Sequence, residues 1–467
     1  MKKRHPKALY LLFTTELWER FSYYSMRTLL VLYLTLGLGQ SKEDALSILA
    51  IYSGLVYFTP IIGGLLADRY LGQANAIVTG ATLMFFGHVL MSFPDLFFWA
   101  AALLIVGNGF FKPNISTLVG KLYPPGDSRR DSAFTIFYMG INIGALMAPI
   151  ISGYLGETYG WHYGFSAAAI GMFFGLAIFL GFHRRYLGAF PLASKKIVLF
   201  IALSIVAVAV AKILIVLWSW QPWVIAGIML LLFGAILRRF LSLPKINMDE
   251  KGRFKTLLGF APFMIIFWMA FEQLGGMLVL FVYERIDRHV FGIDIPATAF
   301  LAANPLIIMV FAPLLALLWQ KKPFSYLSPI EKSAFGLVLL ALGFVVVLFA
   351  RLAAENGLVS PFWIIGAYFL ITIGELCLSP ISLSLVSQLA PARFASVSMG
   401  GYFLLTAIGG YAANKTAAFF SERELTLYGF LAGLAFLAGV ILFLYARKLY
   451  GFSQGDSKKE ESPLIVL

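Results

Sequence analysis

LYLLFTTELWERFSYYSMRTLLVLYLTL, residues Leu9–Leu36, is long and apolar enough to cross a bilayer as a helix, yet it holds Glu16, Glu19, Arg20 and Arg27. About 20 apolar residues in helical rise match the hydrocarbon thickness. Working outward from this stretch, comparable runs recur along nearly the whole chain, at roughly 46–67, 75–93, 97–119, 133–155, 162–183, 197–217, 222–241, 257–283, 297–319, 332–351, 361–389, 396–419 and 426–449. Hydrophobic residues make up 60% of the sequence and charged residues 13%. Soluble domains carry about 25% charged residues. A soluble fold of this composition would expose apolar patches that water does not tolerate. The sequence is therefore that of an integral membrane protein with fourteen expected spans.

The net charge of +13 does not point to nucleic acid, because the basic residues sit in short clusters between the apolar runs. They alternate. One set of loops holds Lys2, Lys3, Arg4 and Lys7, then Arg69, then Lys121, Arg129 and Arg130, then Arg184, Arg185, Lys195 and Lys196. It continues through Arg238, Arg239, Lys245, Lys321, Lys322, Lys332 and Arg393 to Lys458 and Lys459. The other set holds little beyond Lys42, Arg285, Arg288, Arg351, Lys415 and Arg423. The positive-inside rule makes the first set cytoplasmic, with both termini inside; the expected location is the cytoplasmic (inner) membrane. Charged groups in the first apolar run, with no small-residue cleavage site after it, mark a retained helix and not a signal peptide. The single cysteine, Cys377, excludes a disulfide framework.

The chain divides near its middle, with an expected six-helix bundle over 1–185, a linker over 186–255 with two extra spans, a second bundle over 256–450 and a cytoplasmic tail over 451–467. The extra pair is apolar all round, which suits lipid contact. The expected fold class is an all-α integral membrane protein with the major facilitator plan, two six-helix bundles plus a two-helix central insertion. In that plan the site lies at the midplane between the halves. Gly63-Gly-Leu-Leu-Ala-Asp68-Arg69-Tyr-Leu-Gly72 resembles the superfamily's Gly-rich Asp-Arg loop. Asp68 is expected to pair with a nearby base.

A charge at mid-bilayer costs about 2.5–3.5 kcal/mol on insertion scales. Glu16 and Arg20 are spaced i,i+4, Tyr23 and Arg27 continue the row, and Glu19 and Tyr24 flank it, so one face of the first helix is polar. Other apolar runs contain Lys112, Glu272 with Gln273, and Glu375, and Asn142 and Asn304 add polar groups near mid-depth. Bases on the first half, Arg27 and Lys112, and acids on the second, Glu272 and Glu375, suit a ligand with a negative and a positive end. The plainer reading is that the charges only pair to fix helix packing. Buried pairs are costly and seldom kept for stability alone, and the plainer reading has most weight for Glu16, Glu19 and Arg20.

Glu16-Leu-Trp-Glu19-Arg20-Phe21-Ser-Tyr23-Tyr24 resembles the ExxERFxYY signature of proton-dependent oligopeptide transporters. Phe137-Tyr138-Met-Gly-Ile141-Asn142-Ile-Gly144 resembles their FYxxINxG signature, and Phe111-Lys112-Pro113-Asn114 and Glu272-Gln273 also match. The resemblance implies that Arg27 and Lys112 hold a peptide carboxylate. It implies that Glu375 holds the amino terminus, helped by Asn142 and Asn304. Tyr23, Tyr24 and Tyr57 would line the site, with Trp268, Ser379 and Tyr402. Glu272 would pair with Lys112 and take the coupling proton, and Glu16, Glu19 and Arg20 would form a proton-linked network. Ser25 stands where the signature usually has Gly, and Tyr402 where many members have Trp. The animal members' His in the second span has no match, and His88 reads as a packing residue.

The implied protein is a monomeric symporter for di- and tripeptides and protons, with no cofactor and no metal. The main rival is a superfamily transporter for another small anion or zwitterion, such as nitrate or an amino acid. Glu375 separates the two, since an acid there favours a ligand amine. An enzyme is excluded on motifs: His5, His88, His162, His183 and His289 lack metal spacing, and no Gly-rich phosphate loop follows a strand. A channel has no need of acids and bases set on opposite halves.

Overall fold

The structure is a computed structural model that describes residues 4–124, 127, 129–218, 227, 231, 234, 248–290, 292–389 and 395–454. Among them, eleven helical segments are long and apolar enough to cross a membrane, and each coincides with an expected span. Two further expected spans, 9–36 and 396–419, are helical but are not among the eleven. The first of these carries the four charges. The remaining expected span, 222–241, lies almost wholly outside the described residues, as do Arg393 and the tail lysines. Two short strands, β1 (His289–Val290) and β2 (Ile293–Asp294), form an antiparallel pair, the only sheet among the described residues.

The chain forms two compact units. The first comprises residues 1–222 and 274–309, the second 223–273 and 310–467. The boundaries between them fall at 222–223 and, inside two described spans, at Gln273–Leu274 and Met309–Val310.

In the first unit, α1 (Lys7–Leu32) ends in a π-helical turn, Tyr33–Gly37. α2 (Lys42–Leu66) begins at Ser41, whose hydroxyl accepts from the Asp44 N–H at 3.1 Å, with Glu43 and Asp44 in the first turn where the helix dipole favours acids. A second π turn, Ala67–Leu71, holds the Asp-Arg loop. There Asp68 accepts from Gln73 Nε2 at 2.7 Å, and Lys121 Nζ donates to Gln73 Oε1 at 2.9 Å. The expected acid–base pair is thus a relay through an amide. α3 (Gln73–Met91) packs on α4 (Phe97–Lys121), and α4 packs on α2. α5 (Arg129–Ala148), a third π turn (Pro149–Gly153) and α6 (Tyr154–Tyr159) make one span, followed by α7 (Trp161–Tyr186).

α1 packs against α5 and α7. Gly144 explains how closely α5 approaches: a Cβ there would fall 2.5 Å from the Leu17 carbonyl oxygen and 2.8 Å from the Phe21 nitrogen. Small residues let membrane helices touch backbone to backbone. The approach is at the level of Glu16–Arg20, so Gly144 in the second signature seats the first. Overpacking such a contact costs about 1–3 kcal/mol. Gly144→Val is expected to lower the thermal unfolding midpoint in detergent, and an unchanged midpoint would show that α1 can move aside freely. Ser25, in place of the usual Gly, accepts from Ser152 Oγ at 2.7 Å and ties α1 to the third π turn. His88 is fully buried and neither ring nitrogen has a hydrogen-bond partner among the described residues, as befits a packing residue.

α8 (Ser194–Trp218), the first of the expected extra pair, packs on α3 and α4. Its outer face, with Val198, Ile205 and Val206, is exposed, and Lys212 Nζ lies 4.3 Å from the centre of the Trp99 ring.

The second unit contains α9 (Met248–Phe271), which ends in a 3-10 turn, Glu272–Gly275; within that turn the chain returns to the first unit, which holds α10 (Met277–Arg285). A 3-10 turn (Ala297–Ala302), also in the first unit, precedes α11 (Ala303–Leu318), whose residues from Val310 onward belong to the second. α12 (Pro329–Ala353) opens with a capping box between Ser328 and Glu331 and a proline in its first turn. α13 (Phe362–Leu389), α14 (Ala395–Phe419) and α15 (Glu424–Gln454) follow. α12 packs on α13 and α15, and α9 on α14 and α15. α12 and α13 cross at two glycines: a Cβ on Gly336 would lie 2.6 Å from the Gly374 carbonyl oxygen, and one on Gly374 2.7 Å from that of Gly336. Glu375 follows directly.

Candidate functional site

Helical spacing puts Glu16, Arg20 and Tyr23 on one face of α1, and α4 brings Lys112 to it. Lys112 Nζ donates to Glu16 Oε1 at 2.7 Å. Arg20 Nε lies 3.5 Å from the same oxygen. Arg20 also holds both oxygens of Glu19 with two nitrogens. Its guanidinium sits 4.7 Å from the centre of the Tyr23 ring and 6.0 Å from that of Tyr24. The two tyrosine rings meet edge to face at 5.3 Å. The cluster contains two acids and two bases, so it is charge-balanced, as a buried network must be to persist in low dielectric. Both glutamate side chains are wholly buried, whereas that of Lys112 is 30% exposed. Lys112 is therefore the open end of the network. Glu16 Oε2 is buried and has no hydrogen-bond partner among the described residues.

Further along α1, Arg27 stands beside Gly275: a Cβ on Gly275 would lie 3.6 Å from Arg27 Nε. Asn142 is buried and donates to the Tyr138 carbonyl at 3.0 Å. Tyr57 and Asn304 are half-buried. All of these belong to the first unit.

The second unit carries the remaining candidates. Trp268 on α9 is buried where α14 comes close, since a Cβ on Gly409 would fall 2.5 Å from Trp268 Cβ. Glu272 is buried, and its neighbour Gln273 donates to the Ala413 carbonyl on α14 at 2.7 Å. On α13, Glu375 and Ser379 are half-buried. Ser382 Oγ bonds the Ser379 carbonyl at 2.9 Å and lies 3.4 Å from the Tyr402 hydroxyl. α9, α13 and α14 pack together, which gathers Trp268, Glu375 and Tyr402 in one bundle.

Two features escape sequence reading. One is the Glu16–Lys112 pair, joined across 96 positions, where the resemblance implied Glu272 as the partner of Lys112. The other is Glu157, at the end of α6. Its carboxylate accepts from the Ala297 N–H at 2.9 Å, the Thr298 N–H at 2.8 Å and the Thr298 hydroxyl at 2.5 Å. Arg288 stands 3.6 Å away, and Glu284, close to Arg288 in sequence, pairs with Lys42 at 2.8 Å. Glu157 thus caps a helix from another part of the chain. A faint signal is the turn starting at Pro296, whose N-terminal N–H groups have no capping side chain of their own. Hydrogen bonds to a charged acceptor are worth about 1.5–3 kcal/mol. Glu157→Ala is expected to speed amide exchange in the 297–302 segment about 10- to 100-fold, read by hydrogen–deuterium exchange mass spectrometry. Unchanged exchange would show that the clasp carries no energy.

The sequence profile of the POT family matches residues 74–431. The chain belongs to the POT family. It is a multi-pass membrane transporter and not an enzyme. Among relatives, it is 38% identical to the uncharacterized transporter YclF of Bacillus subtilis, over 94% of each chain. It is 34% identical to the peptide transporter YePEPT of Yersinia enterocolitica, over 97% of this chain and 96% of that one. It is likewise 34% identical to a di-/tripeptide transporter of Lactococcus lactis, over 95% and 96%. Its fold is similar to that of a mutant peptide transporter POT crystallised with alafosfalin, at a TM-score of 0.85 and 36% identity, covering 97% and 96% of the two chains. The major facilitator fold of the POT family is therefore the fold of this chain.

Proposed function

We propose that this POT family member is a proton-coupled symporter that imports di- and tripeptides across the cytoplasmic membrane by alternating access. The observation that carries the reading is the buried, charge-balanced network of Glu16, Glu19, Arg20 and Lys112 with its one open end at Lys112. A proton added to either carboxylate leaves a cation without its counter-charge. Lys112, the exposed one, then gains from a ligand carboxylate, so proton and anionic ligand bind together. Inward movement of each charge gains about 2.3 kcal/mol per 100 mV of membrane potential.

The ligand's other end falls to the acids of the second unit. Arg27 and Lys112 hold the carboxylate, Glu375 holds the amino terminus with Asn142 and Asn304, and Tyr23, Tyr24, Tyr57, Trp268, Ser379 and Tyr402 line the site. Glu272 takes a proton and receives Lys112 in another stage of the cycle. Recognition of the two termini leaves side chains in a loose pocket, which suits a broad range of peptides. The names of the relatives, a peptide transporter and a di-/tripeptide transporter, support this substrate class. The fourteen-span count, the 1–185 and 256–450 bundles and cytoplasmic termini complete the reading. So does action as a monomer, for one chain supplies both the acids and the bases.

A second reading has one specific observation in its favour. A POT family transporter at 32% identity was solved in complex with 5-aminolevulinic acid, a small molecule with an acid and an amine. Uptake into proteoliposomes under an imposed pH gradient separates the two. Dipeptides and tripeptides are expected to be accumulated and an uncoupler to abolish it. Accumulation of small amino acids with no competition from peptides would overturn the proposal.

A further inference from the structure

Within the second unit, the last turns of α11, the first turn of α12 and the last turns of α13 share one end of the bundle. They do not close on one another. A groove of about 390 Å³ runs between them. That volume lies in the range, about 300–1,000 Å³, that small-molecule ligands fill. Its walls are Leu315 and Ala316 of α11 with Leu376, Pro380 and Leu385 of α13. Following each helix along its length, Ala312 and Leu376 are farthest from the loops, and Trp319, Lys332 and Gln388 are nearest. The groove is thus apolar along its length and polar at the loop end.

Two things indicate what fills it. First, the flank of the groove is built for hydrocarbon: Leu314, Leu317 and Leu318 on α11 and Leu383 on α13 are exposed. Second, the loop end is basic and uncompensated. Lys332 Nζ lies 5.0 Å from the centre of the Trp319 ring and has no acidic partner among the described residues. The neighbouring acid, Glu331, is buried and engaged with Ser328, with Arg447 3.8 Å away. Lys321 and Lys322 are exposed on the loop that joins α11 to α12. A groove with an apolar shaft and a cationic mouth at a membrane–water boundary matches one chemical class, an amphiphile with an anionic head.

We infer that this groove is a binding site for an anionic phospholipid, with an acyl chain lying between α11 and α13 and the phosphate at Lys332. Basic pockets between membrane helices recognise anionic headgroups in this way. The occupant completes the wall that α11 leaves open, and the site is separate from the charged network of α1 and α4.

Trp319 is a reporter placed in the site. The full-length protein is reconstituted into phosphatidylcholine vesicles that contain, at equal mole fraction, either phosphatidylglycerol or phosphatidylcholine with brominated acyl chains. The Trp319 fluorescence is isolated as the difference between the wild-type protein and Trp319→Phe. One lysine near an anionic surface is worth about 1 kcal/mol, which is about a fivefold preference. Brominated phosphatidylglycerol is therefore expected to quench the Trp319 component about fivefold more effectively than brominated phosphatidylcholine. Lys332→Ala is expected to remove that preference while quenching by the neutral lipid stays. Equal quenching by the two lipids in the wild type, or a preference that survives Lys332→Ala, overturns the proposal. So does a Trp319 component that ignores both lipids and is quenched by aqueous iodide, since the groove would then be wet.

Discussion

Lys112→Ala is expected to abolish pH-driven peptide uptake into proteoliposomes, to about a hundredth of the wild-type rate or less. The reason lies in the network. Lys112 is the second counter-charge of a cluster that holds two buried carboxylates, and it bonds Glu16 directly. Without it, Glu16 and Glu19 share only Arg20, and an unpaired buried charge costs about 3–5 kcal/mol. The cluster would take up a proton permanently to escape that cost, and coupling to the external proton would be lost. A rate loss of a hundredfold needs only about 2.7 kcal/mol. The same deficit also threatens folding, so the double variant Lys112→Ala with Glu16→Gln is the control. It restores charge balance and is expected to recover the thermal midpoint but not uptake. Uptake above a tenth of wild type in the single variant would remove Lys112 from both of its proposed roles.

Glu375→Gln is expected to raise the KM for dipeptides about 10- to 100-fold, since it exchanges a charge-assisted hydrogen bond to an ammonium, worth about 1.5–3 kcal/mol, for a neutral one. The test has an internal comparison. An N-acetylated dipeptide has no ammonium to lose, so its inhibition constant is expected to be nearly the same in wild type and variant. Competition assays against labelled dipeptide uptake measure both. An equal loss for the free and the acetylated peptide would mean that Glu375 acts on the carboxylate side or on the fold. That result would also remove the main sequence argument for a peptide over a simple anion.

Much of the fold was legible because the bilayer imposes one length and one polarity on every crossing. Eleven of the expected spans reappear as helices by that rule alone. α1 was legible for the opposite reason: Glu16, Glu19, Arg20 and Arg27 are so costly in an apolar run that they announce a polar face. What could not be read is who meets whom. Lys112 and Glu16 are joined only because α4 and α1 lie in the same bundle, and no local spacing encodes that. Glu157 has no signal of its own, for a carboxylate at a helix end near the interface is ordinary, and its partners are backbone N–H groups, which every sequence has. The Asp-Arg loop was recognisable, but not that Gln73 would stand between Asp68 and Lys121. The π turns after α1, α2 and α5 left no mark in the apolar pattern that identifies the spans.

The crossing of Gly336 and Gly374 bears on how this transporter can change over generations. A side chain added to either residue strikes the other's carbonyl oxygen, an atom that every amino acid possesses. A clash between two side chains can be relieved by trimming the partner, so that a harmful change at one position becomes tolerable after a second. Here there is nothing to trim. A genetic screen for suppressors of Gly374→Val should return revertants to Gly or changes that reposition a whole helix, and none at Gly336. The acid next to Gly374 is carried by that crossing, so its position along the helix is tied to a contact that side-chain changes cannot relax.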